Sequence, residues 1–488
     1  QFVEKKAEEY LMAYYGKLTP EAVYELISVL GESNVVTDDR DVLENYSWDQ
    51  AGRIWGHMPE AVVRPENTGQ VSSVMKTASR YRIHVTPRGA GSGLNGGAVP
   101  LAGGIVLSLE RMNSIIEIDP VNRVAVVEPG VVTNDLCRAA AEKGFLYAGY
   151  PMSTETSFIG GNFATNAGGG KVVRYGSTRR HILGAEAVLP SGEVINLGGK
   201  FRKDTWGYNL LQLLIGSEGT LAVITKLIVN LEPKPGKTVN LLACYPDIET
   251  LVKSVSQIIG SGQKIISCEF MDRNLVRYTT EYLGCRLPEQ DRSEGYLIIQ
   301  LEADNEEQLE ESYEKVGGIC MNCGAFEVFV AENRTDSAAM WNVRQNGLEG
   351  MRAKDPYASS SGDLMVPLSA VPQMIRIINE TGKKWGLEMG IISHIGDGNI
   401  HPIPLKPEGM APEEWAVHSE RFFQELIREA IALGGVGSGE HGVGHVKQHI
   451  IIESKSAAEL EIMKGIKSSF DPMGILNPGK MFFSLGDQ

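Results

Sequence analysis

The sequence lacks long apolar runs, an excess of positive charge and a signal-like apolar segment. No stretch approaches the ~18 consecutive apolar residues of a membrane-spanning helix, so we expect no integral membrane span. Lys and Arg total 46 against 61 Asp and Glu, a net charge of −15, which argues against nucleic acid or an anionic membrane as partner. The opening stretch QFVEKKAEEYLMAYYGKL lacks the apolar core of a secretion signal and predicts an amphipathic helix. We therefore expect a cytoplasmic protein.

Cysteine is also scarce, whereas glycine is abundant. The chain has 6 cysteines, of which Cys320 and Cys323 form the one CxxC pair, whereas an iron–sulfur cluster normally takes four thiolates. We therefore expect no such cluster in this chain. The 55 glycines concentrate at residues 89–104, 160–170 and 434–444. Because glycine lets the backbone approach a ligand closely, this clustering predicts several loops around one large ligand.

Length and pattern predict an α+β protein with more than one domain. A chain of 488 residues exceeds what one hydrophobic core usually organises. TPEAVYELISVLG predicts a helix with Thr19 as its cap, Pro20 in the first turn and a glycine at its end. Strands and glycine turns then alternate until the Pro-rich LEPKPGK, which indicates a boundary. We expect a helical segment over 1–54 that packs on a domain over 55–235, and a second α+β domain over 236–488.

The first glycine-rich loop, PRGAGSGLNGG at residues 87–97, contains a GxGxxG pattern. In a Rossmann fold that pattern opens a helix whose N-terminus faces a pyrophosphate. Here AVPLAGGIVLSL follows, in which Pro100 and the Gly103–Gly104 pair oppose a helix. We therefore expect the loop to join two strands. Its backbone amides can still bind an anion, with Arg88 supplying positive charge.

The stretch SHIGDGNIHP predicts a metal-binding hairpin. Asp397-Gly398 is a strong two-residue turn signal, and such a turn would place His394 directly opposite His401. Their Cβ atoms would lie ~5 Å apart on one face of the hairpin, which suits a shared metal ion. Without a third ligand, a packed histidine pair explains the pattern equally well.

A third ligand is available in SGEHGVGH, residues 438–445. Its glycines would let the backbone bend so that Glu440 meets the metal while His441 points at a substrate. The alternative for an isolated Glu-His pair is a polar surface loop. We interpret His445 and His449 as structural or solvent-facing.

These motifs, taken together and in order, resemble a known family. PRGAGSGLNGG, IGGNFATNAGG, RYGSTRRHILGAEAVLPSGEVI and IGSEGTLAVIT resemble the FAD-binding domain of the vanillyl-alcohol oxidase, or PCMH, type. HIGDGNIHP, GSGEHGVGHVK and DPMGILNPGK resemble the matching C-terminal domain of FAD-linked oxidases. The resemblance covers residues 35–482 and extends to D-lactate dehydrogenases, glycolate oxidase flavin subunits and D-2-hydroxyglutarate dehydrogenases. It implies a PCMH-type FAD-binding domain over 55–235 and an α+β substrate domain over 236–488 whose C-terminal tail returns to the flavin.

The resemblance also implies a set of FAD-binding residues. They are Arg88, Gly89, Ala90, Gly91, Ser92 and Gly93 at the pyrophosphate, Gly160, Gly161, Asn162, Thr165 and Gly168 along the flavin, Glu218, Gly219, Val223 and Ile224 near the adenosine, and Asn477 beside the isoalloxazine. Some relatives attach FAD covalently through a histidine. The loop at 87–97 contains no His or Cys, so we expect noncovalent FAD. The chain departs from the family pattern at YPM and at Phe158, where relatives often carry Pro-Asp-Pro and a Thr before IGGN.

By the same resemblance, His394, His401 and Glu440 bind a divalent metal and His441 is the catalytic base. Ligand type leaves Zn²⁺ and Fe²⁺ both open. The motif MWNVRQNG matches the family's Trp-x-x-Arg, whose arginine grips the substrate carboxylate, which assigns that role to Arg344. SSSGDLMVP lacks the Lys that 2-hydroxyglutarate enzymes place before the Asp, which favours a monocarboxylate substrate.

The sequence therefore predicts oxidation of a D-2-hydroxy acid, D-lactate first, to the 2-oxo acid, with electrons passed to an external acceptor. A protein acceptor, either electron-transfer flavoprotein or an iron–sulfur subunit, fits the absence of a second redox motif. Two alternatives stay open: the flavin subunit of a multi-subunit glycolate oxidase, and a non-catalytic flavin subunit that relays electrons.

Overall fold

The computed structural model describes residues 15–331, 333–359 and 361–482. Residues 1–14, where we predict an amphipathic helix to begin, lie outside these ranges. Within them, no helix is both long enough and apolar enough to cross a membrane. The chain forms two compact units: the first from the stretches up to Ala167, from Ser177 to Lys234 and from Glu440 onward, the second from Gly168–Gly176 and Pro235–Gly439.

The first unit is built around two sheets. Its strands are β1 (Val35–Val36), β2 (Ala61–Val63), β3 (Val85–Arg88), β4 (Ile105–Ser108), β5 (Ile115–Asp119), β6 (Val124–Val127), β7 (Phe145–Leu146), β8 (Ile182–Val188), β9 (Val194–Gly198), β10 (Val223–Asn230) and β11 (Glu232–Pro233). One sheet has the order β1-β2-β4-β3, in which β2, β4 and β3 run parallel. The other has the order β5-β6-β10-β8-β9 and is antiparallel throughout. β11 pairs with β7.

Helices cover these sheets and bury their apolar faces. They are Pro20–Leu30, Arg40–Asn45, Thr68–Tyr81, Thr133–Glu142, Ile159–Thr165, Leu210–Leu214, Gln448–Ser454 and Ala457–Phe470. The first has the predicted signals, because the Thr19 side chain accepts from the Ala22 N–H, Pro20 opens the first turn and Gly31 follows with φ 83°. Leu26 packs with Met75 and Val85 in the core of the parallel sheet.

The loop that begins at Gly89 joins β3 to β4 without an intervening helix, as predicted. Its glycines are required for two reasons. Gly91 and Gly96 have φ of +70° and +74°, and a Cβ on either would collide with Arg88 or His445. A Rossmann-type loop, which needs a following helix, is therefore excluded.

The second unit is one antiparallel sheet with helices packed on it. Its strands are β12 (Lys237–Tyr245), β13 (Ile265–Asp272), β14 (Gly295–Ala303), β15 (Glu327–Ala331), β16 (Leu364–Met365), β17 (Met389–His394) and β18 (Asn399–Pro404), in the order β15-β12-β14-β13-β17-β18-β16. Its helices are Val172–Tyr175, Ile248–Ile259, Arg273–Leu283, Glu306–Asn322, Arg334–Gln345, Gly347–Lys354, Val371–Trp385 and Pro412–Ala432. β13 is buried along its whole length, which places any polar side chain on it inside the protein.

The hairpin of β17 and β18 exists, but its predicted register is wrong. His394 pairs with Asn399, and His401 pairs with Ile392, so the turn spans residues 395–398 rather than the two residues Asp397 and Gly398. The longer turn follows from packing: Ile395 is fully buried, and a Cβ on Gly396 would lie 2.9 Å from Cβ of Cys268. Because the shift is by two residues, His394 and His401 still lie on one face.

Candidate active site

His394 is held by a buried carboxylate that sequence reasoning did not identify. Glu269 on β13 is fully buried, and its Oε2 accepts a hydrogen bond from Nδ1 of His394 at 2.8 Å. The guanidinium of Arg344, which is also buried, reaches the same oxygen with Nη2 at 2.6 Å. Oε1 of Glu269 accepts from the Ser267 hydroxyl at 2.8 Å. The predicted metal ligand His394 and the predicted substrate anchor Arg344 thus meet at one carboxylate.

The charge state of Glu269 follows from these neighbours. Burial acts to raise the pKa of its carboxyl, but the positive charges of His394 and Arg344 and the hydrogen bonds from His394 and Ser267 outweigh this and lower the pKa to about 2. Glu269 is therefore ionised at neutral pH. An ionised carboxylate at Nδ1 keeps a proton on that nitrogen, so that whenever the imidazole of His394 is neutral its lone pair lies on Nε2.

His401 on β18 is oriented in the same way. Its Nδ1 lies 3.2 Å from the carbonyl oxygen of Gly362 and 4.0 Å from Oδ1 of the fully buried Asp363. The rings of His394 and His401 are nearly perpendicular, with centroids 5.7 Å apart. Each ring therefore has an acceptor at Nδ1, so that Nε2 of each is the nitrogen suited to a metal ion. The second unit supplies a donor set that fits a divalent cation.

Asp363 also holds the chain that leads to Glu440. Its Oδ2 accepts from the Ser438 hydroxyl at 2.7 Å, and its carbonyl accepts from the Gly439 N–H at 3.2 Å. Asn399 donates to Oδ1 of Asp363 at 2.9 Å. The residue that precedes Glu440 is therefore anchored to the same part of the sheet as His401.

Arg344 lies in the helix Arg334–Gln345 and is 5% exposed, not a surface cation. Its Nη2 lies 3.2 Å from Nδ1 of His394 in addition to its bond to Glu269. Its Nε is buried without a hydrogen-bond partner among the residues that the structure describes. A buried guanidinium donor in this position is the kind of group that an anionic ligand satisfies.

In the first unit, two glycine segments meet to form a cradle. A Cβ on Gly89 would lie 3.7 Å from the backbone of Gly161, whereas one on Gly161 would meet nothing within 4 Å. Oδ1 of Asn477 and of Asn95 are both buried without a hydrogen-bond partner in the described ranges. The open space beside Gly161 fits a flat ring system such as a flavin, and the two amide oxygens are acceptors of the kind that a polar ligand satisfies.

Arg88 lies beneath the glycine loop. The guanidinium is buried, donates to the Ala98 carbonyl at 3.4 Å and lies over the ring of Tyr46 at 5.5 Å. Lys480, which the sequence did not single out, braces the same loop by donating to the carbonyls of Gly96 and Val99 at 2.7 and 2.6 Å. Burial lowers the pKa of the Lys480 ammonium to about 7. The positive charges beside this loop are therefore carried by the buried side chains of Arg88 and Lys480.

Glu218 holds the backbone just after His441. Its Oε1 accepts from the Val443 N–H and its Oε2 from the Gly444 N–H, both at 2.7 Å. Asn95 donates to the carbonyls of His441 at 3.3 Å and Gly442 at 2.5 Å. Burial raises the pKa of the Glu218 carboxyl, although the two N–H donors oppose the shift. The segment that follows His441, the predicted base, is therefore held in place through hydrogen bonds to its main-chain atoms.

The remaining predicted residues lie at several places in the fold. Asn162 donates to the Thr133 hydroxyl at 2.8 Å, and Thr165 donates to the Gly161 carbonyl at 3.3 Å. Asn477 donates to the carbonyls of Gly97 at 3.0 Å and Glu218 at 2.7 Å. Ala90, Ser92 and Gly93 lie in the glycine loop. Gly219 precedes β10, Val223 and Ile224 lie on β10, and Gly168 belongs to the second unit.

Family models match both halves of the chain. The model described as FAD binding domain matches residues 59–198, and the model described as FAD linked oxidases, C-terminal domain, matches residues 234–481. Among solved structures, p-cresol methylhydroxylase with bound substrate is similar with a TM-score of 0.78 at 19% identity, covering 96% of this chain and 97% of that one. 4-Ethylphenol oxidase from Gulosibacter chungangensis also has a TM-score of 0.78, at 17% identity over 96% of this chain and 99% of the other. These likenesses confirm the PCMH-type α+β fold.

Curated relatives align over nearly the whole chain. The glycolate oxidase subunit GlcD of Bacillus subtilis is 36% identical over 95% of this chain and 97% of its own length. The D-lactate dehydrogenase of Anaerostipes hadrus is 34% identical over 96% and 99%, and the D-2-hydroxyglutarate dehydrogenase of Stutzerimonas stutzeri is 31% identical over 95% and 100%. The chain therefore belongs to the FAD-linked oxidase family and is an FAD-dependent oxidoreductase that acts on 2-hydroxy acids.

Proposed function

We propose that this protein oxidises a D-2-hydroxy acid, with D-lactate as the preferred substrate, to the 2-oxo acid. The reaction removes a proton from the hydroxyl group. It also removes a hydride, which is a proton with two electrons, from the carbon that bears this hydroxyl. The observation that carries the proposal is the buried cluster of Arg344, Glu269 and His394 beside His401. The cluster combines the guanidinium of Arg344, which can bind a substrate carboxylate, with two imidazoles suited to a metal ion.

His394 and His401 would hold a divalent cation together with Glu440. Two features support this set: both imidazoles are oriented through Nδ1, and Glu440 follows Gly439, which is hydrogen-bonded to Asp363 beside His401. When bound, FAD would accept the electron pair and the cation would lower the pKa of the substrate hydroxyl. Two imidazoles and one carboxylate suit Zn²⁺ and Fe²⁺ alike.

The chain's own residues have distinct tasks. Arg344 would bind the substrate carboxylate through donors that include Nε. His441, next to Glu440, would accept the hydroxyl proton on its neutral imidazole. The glycine loop after β3 and the segment Gly160–Gly168 would hold FAD noncovalently, because the loop at 87–97 contains no His or Cys.

Reduced flavin must then be reoxidised by an external acceptor. We propose a protein acceptor, either an electron-transfer flavoprotein or an iron–sulfur subunit. A relative whose name designates it a subunit, the glycolate oxidase subunit GlcD, supports an assembly of this kind and makes glycolate the second candidate substrate.

The test is anaerobic stopped-flow reduction of the purified yellow protein by D-lactate, L-lactate, glycolate and D-2-hydroxyglutarate. We expect D-lactate to bleach the flavin fastest. Faster bleaching by glycolate would favour the second candidate. A flavin that none of these acids reduces would contradict the proposed function and favour an electron-relay subunit.

A further inference from the structure

We propose that Glu269 is a positioning residue that fixes His394 and Arg344 together, so that metal binding and recognition of the substrate carboxylate depend on one buried side chain. The inference rests on the proposed function, in which His394 binds a metal ion and Arg344 binds the substrate. It goes beyond that function by assigning a role to a residue on β13 that neither the metal nor the substrate needs to contact.

The first support is that one oxygen serves both partners. Oε2 of Glu269 accepts from Nδ1 of His394 at 2.8 Å and from Nη2 of Arg344 at 2.6 Å. A carboxylate oxygen has two lone pairs, so these two donors use its capacity. Nη2 of Arg344 also lies 3.2 Å from Nδ1 of His394, which leaves little room for either group to move alone. A change at one partner is therefore transmitted to the other.

The second support is that the carboxylate itself cannot turn. Oε1 is held by the Ser267 hydroxyl at 2.8 Å. Gly170 passes directly above, and a Cβ there would lie 3.0 Å from Oε1 of Glu269 and 3.1 Å from Oγ of Ser267. A side chain at this position would therefore crowd the carboxylate, and glycine leaves it undisturbed.

The segment that carries Gly170 is itself anchored. Arg174 reaches Oε1 of Glu302 with Nη2 at 2.7 Å, and the Tyr175 hydroxyl donates to Oε2 of Glu302 at 2.5 Å. This segment continues the sequence Gly160–Gly168 that we assign to the flavin. Glu269 is therefore enclosed by the backbone above it and by the two functional side chains beside it.

A purely structural ion pair would behave differently. Replacing a structural pair changes stability, but it does not change the affinity of a separate metal site or the apparent affinity for a carboxylate substrate. Loss of a carboxylate partner from a metal-bound histidine typically lowers metal affinity about 10–100-fold. The two explanations are separated by measuring metal and substrate affinity rather than folding.

The experiment compares Glu269→Gln with wild type as the complete flavoprotein. Zn²⁺ affinity is measured by competition with a chromophoric chelator, and KM and kcat for D-lactate are measured on metal-saturated samples. We expect Glu269→Gln to lower Zn²⁺ affinity about 10–100-fold and to raise KM for D-lactate, with FAD content unchanged. Glu269→Asp retains the charge one methylene further away, so it should recover part of both losses.

The matched control is Asp272→Asn, which alters another buried carboxylate of β13. Asp272 caps the helix Arg273–Leu283 by accepting from the Leu275 N–H. In Asp272→Asn the amide oxygen can still accept this bond, so Zn²⁺ affinity and KM should stay at wild-type values. If Glu269→Gln does not fold, Glu269→Asp and Ser267→Ala provide the same comparison with smaller expected shifts.

The outcomes distinguish this inference from the proposed function. Wild-type protein that binds neither Zn²⁺ nor Fe²⁺ stoichiometrically, or that is not reduced by any 2-hydroxy acid, would contradict the proposed function. Wild-type protein that binds Zn²⁺ and oxidises D-lactate, with Glu269 variants of unchanged Zn²⁺ affinity and unchanged KM, would overturn the role of Glu269 alone.

Discussion

The two units hold their functional histidines in different ways. In the second unit, the rings of His394 and His401 are oriented by acceptors at Nδ1, and both side chains are 5% exposed. In the first unit, Asn95 and Glu218 hold the main chain from His441 to Gly444, while Nε2 of His441 lies 3.5 Å from Oε1 of Glu440 and the side chain is 15% exposed. A metal ligand needs one fixed tautomer, whereas a base must gain and lose a proton. The difference matches the two roles that we propose.

The largest expected effect comes from His441, the histidine that is held through its main chain. His441→Asn should slow flavin reduction by D-lactate about 10²–10⁴-fold, because the proton acceptor is lost. FAD and metal content should stay at wild-type levels, since Asn95 and Glu218 still hold the backbone. Anaerobic stopped-flow absorbance measures the rate. Reduction at the wild-type rate would place the base elsewhere.

Arg344 tests the second unit, where the functional side chains are fixed by contacts with one another. Arg344→Lys replaces a planar fork by a point charge and should weaken D-lactate binding by ~1.5–3 kcal/mol. KM should rise accordingly while FAD content is unchanged. Arg277→Lys, at a half-exposed arginine paired with Glu388, serves as the control and should leave KM unchanged. An unchanged KM in Arg344→Lys would move the carboxylate anchor to another residue.

Glu218 tests whether the main-chain clamp matters for catalysis. In Glu218→Gln, an amide NH₂ would face one of the two N–H donors of Val443 and Gly444, at a cost of ~1–3 kcal/mol in the free energy of unfolding. We expect slower flavin reduction than in wild type, but faster than in His441→Asn. The control is Glu193→Gln on an exposed turn. Equal stability and equal reduction rate would show that the clamp is dispensable.

The smallest expected effect concerns His445, four residues after His441. Burial, reinforced by the charge of Lys480, lowers the pKa of its imidazole to about 3. Between the unfolded-state pKa of ~6.5 and about 3, the unfolded chain binds a proton that the folded protein does not, so stability falls as pH falls through this window. His445→Gln should therefore lose less stability than wild type between pH ~7 and ~5 in urea unfolding. An identical pH dependence would show that His445 does not stay neutral in the folded protein.

Local signals predicted much of the fold, whereas long-range contacts decided the site. The helix Pro20–Leu30 was predictable because its cap, its proline and its glycine lie within thirteen consecutive residues. The strand-to-strand glycine loop and the β17–β18 hairpin were also visible as short motifs. The hairpin register was not, because the turn length is set by the packing of Ile395 and Gly396 against distant residues.

Glu269 could not be found from sequence for a related reason. ISCEFMD is typical of a buried strand, and its Glu contacts His394 across a separation of 125 residues. The role appears only when β13 pairs with β17 and the helix Arg334–Gln345 brings Arg344 beside them. A glutamate in the middle of a largely apolar strand was the one available signal, because such a residue is seldom buried without a partner.

The most direct test of the account is flavin reduction with and without the metal. The wild-type protein is treated with a chelator, its FAD content is verified, and it is mixed anaerobically with D-lactate before and after stoichiometric Zn²⁺ or Fe²⁺ is restored. We predict that the metal-free protein keeps its yellow flavin and is reduced at least about 10²-fold more slowly, and that one of the two ions restores the rate. Reduction of the metal-free flavoprotein at the wild-type rate would contradict the account.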